Sequence, residues 1–147
     1  MFIIDAFIGN TDRYNGNWGF LYNKSDKTMK FAPIYDNGSC LNPLLEDLEL
    51  ECLSEEELKN ISYNIYSCLK IENKKIHYFE FIKSMKCIEC NEALVRVFPR
   101  IDLDVIIHFI QNIEGMSEVR KKFYIDVLRL RYQVLKTVYK DLKKKLD

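Results

Sequence analysis

From Ser117 to about Lys145, Val119, Phe123, Val127, Leu130, Val134, Val138 and Leu142 recur every three or four positions, the spacing of one helix face. A helix over these roughly 28 residues spans about 42 Å at 1.5 Å per residue. An apolar stripe of that length must be covered by other elements, which points to a bundle of shorter helices laid against it. Ser117 is placed to cap its start, and the closing Lys-Asp-Leu-Lys-Lys-Lys puts cations at the negative end of the helix dipole.

The rest of the chain fits that frame. Ser54-x-x-Glu57 is a capping box and predicts a helix to about Leu69. Further helices are expected over 76–85, over 88–98 before Pro99, and from Asp102 to Asn112 ahead of Gly115. Phe2 to Ile8 is apolar apart from Asp5 and is stopped by Gly9-Asn10, so it reads as the last turns of a buried helix. Between them, "WGFLYN" and "MKFAPI" flank the polar "KSDKT", which predicts a β-hairpin, and "YDNGS" at 35–39 predicts a tight turn. The expected fold is mainly α, a helical bundle with one β-hairpin near the N-terminus, in a single domain over 1–147.

Composition narrows the function classes. Twenty-two basic side chains offset 22 acidic ones, so no net field recruits nucleic acid or an anionic membrane. The seven acids of residues 41–60 and the ten bases of 117–147 read as solvated faces. Apolar runs are far shorter than the roughly 20 residues a membrane span needs, and the start of the chain lacks the form of a secretory signal. Five irregularly spaced cysteines argue for reduced thiols, and Cys87-Ile-Glu-Cys90 has no second Cys or His pair at a zinc-site distance. A cytoplasmic protein is expected.

The chemistry concentrates in "FIGNTDRYNGNWGF" at 7–20. Asp12 and Asn17 precede the first strand and Asp36 follows the second. An antiparallel hairpin returns its far end to its origin, so the three oxygen-bearing side chains can meet at one edge. Such a set suits Mg²⁺, which takes one or two protein carboxylates and completes its shell with water and phosphate oxygens. The plainer readings are an Asx turn at Asn10–Asp12 and an ordinary turn at Asp36-Asn37-Gly38. Trp18 reads as a packing residue at the hairpin base, and His77 and His108 stand alone on helical segments.

The wording "IGNTDRYNGNWGFL", then "FAPIYDNGSCL", and the closing "SEVRKKFYIDVLRLRYQVL" resembles the HipA-type serine/threonine kinases of bacterial toxin–antitoxin systems, and among them the smaller CtkA-type branch. The resemblance implies a protein-kinase-like C-terminal lobe, with catalytic loop, hairpin and metal-binding turn in 1–41 and a helical scaffold in 42–147. By that likeness Asp12 is the catalytic-loop aspartate that accepts the substrate hydroxyl's proton. Asn17 and Asp36 are the ligands of Mg²⁺ and hence of ATP, and Arg13 pairs with a phosphate or braces the loop. Tyr14 stands where many relatives have His. The implied substrate is a protein Ser or Thr hydroxyl, and the implied partners are a nucleotide-binding lobe or an antitoxin-like protein. A Gly-rich phosphate loop and its lysine, which belong to a preceding β-rich lobe, have no counterpart in the chain, so that lobe is expected to be absent and the chain inactive without it. The alternative is a non-catalytic truncated lobe that serves as a protein-binding module. A lipid kinase ranks lower, because no basic patch adjoins the site.

Overall fold

The computed structural model describes residues 1–146; Asp147, the last residue of the expected domain, lies outside them. Helix α1 (Phe2–Ile8) ends at Gly9, whose φ of 73° is left-handed and whose N–H reaches back to the Asp5 carbonyl. This is the glycine stop that residues 2–8 predict. A 3-10 turn (Asn15–Asn17) leads into strands β1 (Phe20–Asn23) and β2 (Thr28–Phe31), an antiparallel hairpin in which Phe20 opposes Phe31. Trp18 packs at its base, edge-on to Phe20 and tilted against Phe31. Helix α2 (Asp47–Glu51) follows a long irregular segment.

Helix α3 (Glu55–Tyr63) opens with the expected capping box, Ser54 and Glu57 each bonding the other's backbone. It ends at Tyr63 rather than Leu69. Strands β3 (Tyr66–Ile71) and β4 (Lys74–His77) take up what the sequence reads as helix, in a second antiparallel hairpin. Its turn is built from Glu72 and Asn73, both at positive φ, a turn whose twist matches that of the strands it joins. Helix α4 (Tyr78–Ser84) starts at His77, whose ring nitrogen accepts from the Glu80 N–H. Helices α5 (Ile88–Val97) and α6 (Leu103–Gln111) lie close to their expected places, the second capped by Asp102.

Helix α7 (Glu118–Leu146) spans nearly the expected run, and Ser117 caps it by accepting from Arg120 N–H. All six preceding helices contact it. Its buried line, however, runs through Phe123, Val127, Leu128, Arg131, Leu135, Val138 and Leu142. Leu130 and Val134, which the sequence places on the stripe, sit half-buried at its flank. The main core joins Ile3 and Phe7 of α1 to Phe79, Leu94, Phe98 and α7. A smaller cluster puts Leu50 against Phe123 and Val127. Among the described residues no helix is long and apolar enough to cross a membrane.

Candidate active site

The chain leaves α1 at Gly9 and turns at once into a network of buried polar groups. Asn10 is wholly buried. Its Oδ1 accepts from the Asp12 N–H (2.9 Å) and the Ser39 hydroxyl (2.8 Å), and its carbonyl accepts from the Tyr78 hydroxyl (2.7 Å). The Asx turn predicted from the sequence therefore exists, and it serves to fix the backbone of Asp12. Burial pushes the Tyr78 phenol up to about 12, so it remains a donor at neutral pH.

Arg13 joins the two halves of the site. Its guanidinium is buried against Asp5 of α1, with Nη2 3.1 Å from Oδ1 and both side chains about 95% covered. From there Nη1 donates to the carbonyls of Asn17 (2.8 Å) and Tyr35 (2.6 Å), while Nη2 donates to Asn37 Oδ1. One side chain thus ties the segment before the first hairpin to the turn after it. Of the two roles the resemblance allows Arg13, this geometry suits bracing, because the cation is enclosed and its donors face protein acceptors. A buried pair of this kind is held in place by its added hydrogen bonds as much as by charge.

The three candidate oxygen ligands adjoin this brace along the chain: Asp12 precedes Arg13, and the backbones of Asn17 and of Tyr35, the residue before Asp36, accept from Nη1. Asp12 and Asp36 are exposed, and Asn17 is buried. Asn17 Nδ2 donates to the Asp12 carbonyl (2.6 Å), which orients the amide and leaves Oδ1 as its open acceptor. Asp36 sits at φ 57°, a left-handed position that Asp tolerates better than most residues; Gly38, the expected special residue of the turn, is not at positive φ. Arg13 Nη1 thus joins the backbone of Asn17 to that of Tyr35, the residue before Asp36, and an amide oxygen and a carboxylate are ligand types that suit a hard cation that keeps most of its water. Among the described residues no three His, Cys, Asp or Glu side chains gather as a metal site, here or elsewhere; the candidate set has two carboxylates and one amide. Cys40 adjoins the site, but burial and the Asp5 charge push its thiol up to about 11, so it stays protonated at neutral pH.

Sequence reasoning missed Asp5, Asn37 and Ser39 as parts of the site and gave Asn10 only a turn. The signal for Asp5 was present: it is the sole charge in an otherwise apolar helix, and a buried acid requires a cation. Nothing comparable marks Tyr78, 66 residues from Asp12.

A mainly helical body with a small antiparallel hairpin set between two polar turns has the architecture of the C-terminal lobe of the protein-kinase-like fold. No protein-family model matches the chain. Over 127 residues it is 44% identical to the serine/threonine-protein kinase CtkA of Helicobacter pylori (strain J99 / ATCC 700824), an alignment that takes in 84% of this chain and 39% of that protein. The crystal structure of a Helicobacter pylori proinflammatory kinase CtkA superposes with a TM-score of 0.89 at 37% identity, covering 98% of this chain and 52% of that one. Sequence and fold together relate this chain to the CtkA-type serine/threonine kinases, as the motifs led one to expect. It spans about half the length, or less, of the relatives it matches.

Proposed function

We propose that the chain is the catalytic lobe of an ATP- and Mg²⁺-dependent, HipA-like serine/threonine protein kinase and that it works together with a nucleotide-binding lobe. The observation that carries this reading is the Arg13 brace, which holds the Asn17 carbonyl and the Tyr35 carbonyl next to Asp36 on one nitrogen. The kinship to CtkA supports it independently.

In this reading the exposed carboxylate of Asp12 accepts the proton of a substrate Ser or Thr hydroxyl as its oxygen bonds to the γ-phosphorus of ATP. The bond from that phosphorus to the bridging oxygen breaks, and ADP leaves. Asn17 Oδ1 and the Asp36 carboxylate would hold the Mg²⁺, which would neutralise charge on the phosphates. The chain's own contribution is position: Asn10 fixes Asp12, and Arg13 fixes the spacing of the two ligands. Such preorganisation lets phosphoryl transfer proceed with little covalent help from protein.

Isothermal titration with ATP, with and without Mg²⁺, tests the metal site. Mg²⁺-dependent binding that Asp36→Asn abolishes and Asp12→Asn retains is expected; equal affinity in Asp36→Asn and the parent chain counts against the assignment.

One observation favours a second reading, a protein-binding module. Phe20, Tyr22, Met29 and Phe31 share one face of the first hairpin and are all more than half exposed, an apolar patch that a bound lobe or an antitoxin-like protein would cover. Size-exclusion chromatography separates the cases: self-association reversed by Phe31→Lys favours the module, and a clean monomer favours the lobe.

A further inference from the structure

We infer that Arg131, at the middle of α7, is a positioning residue for the catalytic loop; the inference rests on the reading of Asp12 and Asn17 as the chemical groups. Arg131 is 1% exposed and lies on the buried line of the longest helix, a costly place for a cation. Among the described residues no carboxylate pairs with it. Its Nε donates to the Ser62 carbonyl (3.0 Å) and Nη1 approaches the Phe7 carbonyl (3.5 Å), while Nη2 is buried without a partner.

Those two carbonyls belong to the last turns of α3 and α1. The final four carbonyls of a helix have no partner within it and form the negative end of its dipole. Neither helix carries a basic residue in its own last turn. Arg131 supplies that cation to both helices from a third element, and the two helix ends supply the counter-charge that no carboxylate provides.

The contact reaches the site through one glycine. A Cβ on Gly9 would stand 2.4 Å from Arg131 Nη1 and 2.7 Å from Cζ, so the guanidinium occupies the space a side chain would need. Gly9 is also left-handed and directly precedes Asn10, which holds Asp12. The place where the loop leaves α1 is therefore set by Arg131 on one side and by Tyr78 on the next residue.

The test compares Arg131→Lys with Leu128→Ala, a core truncation one turn away on the same buried line. Lysine keeps the charge but lacks the fork that spans two carbonyls. In proton–nitrogen correlation spectra of the full chain, Arg131→Lys should move the Asn10, Asp12 and Asn17 resonances and weaken Mg²⁺–ATP binding by about tenfold or more, the scale on which supports of metal ligands act. Leu128→Ala should lower the unfolding temperature and leave those resonances in place. Parent-like loop resonances in Arg131→Lys, or equal shifts in Leu128→Ala, overturn the inference. Should Arg131→Lys fail to fold, the parent chain decides: a nuclear Overhauser contact between the Arg131 Hη protons and the Gly9 α-protons is expected, and its absence overturns the inference. A parent chain that binds no Mg²⁺–ATP counts against a metal site formed without the nucleotide-binding lobe, while the loop resonances still decide the role of Arg131.

Discussion

The stretch from Gly9 to Glu49 and the helical body behind it are held together by opposite means. Between Ile8 and Leu50 no apolar side chain is buried, yet Asn10, Arg13 and Asn17 are. From Leu50 onward nearly every buried side chain is apolar, Ser62, Ser67 and Arg131 excepted. Apolar burial is non-directional and tolerates small shifts, whereas hydrogen bonds lose strength quickly with distance and angle. A polar-centred front suits a task in which a few oxygens must stand at fixed spacing, and the apolar body supplies the stability that lets the front do so.

That contrast makes its strongest claim at Asp5. Asp5→Ala leaves Arg13 buried without its partner and should cost about 3–5 kcal/mol, with Mg²⁺–ATP binding lost even in the fraction that stays folded; urea unfolding and titration calorimetry on the same sample check both. Leu135→Ala, at a fully buried site in the body, should cost about 2–5 kcal/mol and leave nucleotide affinity per folded molecule unchanged. If Leu135→Ala lowers that affinity as Asp5→Ala does, the two regions are not separable. Tyr78→Phe removes the one bond from α4 to the Asn10 carbonyl and should cost about 1–3 kcal/mol, with faster amide exchange confined to residues near Asn10.

A smaller effect concerns the α4 cap. Burial, and then the Lys83 charge, lower the His77 pKa below its ordinary 6.5, so the unfolded chain takes up the proton first. The neutral ring that accepts the Glu80 N–H is then lost as pH falls through that range. The urea midpoint should decline between about pH 7.5 and about pH 5.5 in the parent and less in His77→Asn, whose amide caps at either pH. Last, Phe31→Lys on the exposed hairpin face should change stability by less than about 0.5 kcal/mol, yet weaken association with a separately supplied nucleotide-binding lobe in a pull-down assay. A large stability loss would mean the face is already covered within this chain.

The same division explains what could be read from the sequence. Local signals gave α1, the first hairpin, the Ser54 box and the extent of α7, because caps, turns and periodicity are written in neighbouring residues. The second hairpin stayed hidden because Tyr66 to His77 contains neither Gly nor Pro, and its turn rests on Glu72 and Asn73 at positive φ, with Asn73 as the only cue. Asp12, Asn17 and Asp36 stood out through order and wording, but their supports did not. Arg131 was passed over for a related reason: a charge at that position reads as the polar side of a helix, and only the tertiary fold turns it inward.

The way α7 gathers every other helix also bears on how the molecule is made. Residues 9 to 39 leave the ribosome some 90 residues ahead of Arg131 at synthesis rates of about 5–20 residues per second, and until then the ends of α1 and α3 have no cation and α1 to α6 have no common surface. The loop is built early and fastened late. A nascent chain that has not yet exposed α7 carries the Arg13 brace but not the surface on which α1 and α3 are seated, so amide protection of residues 10 to 17 should rise abruptly once α7 emerges and not accumulate along the way.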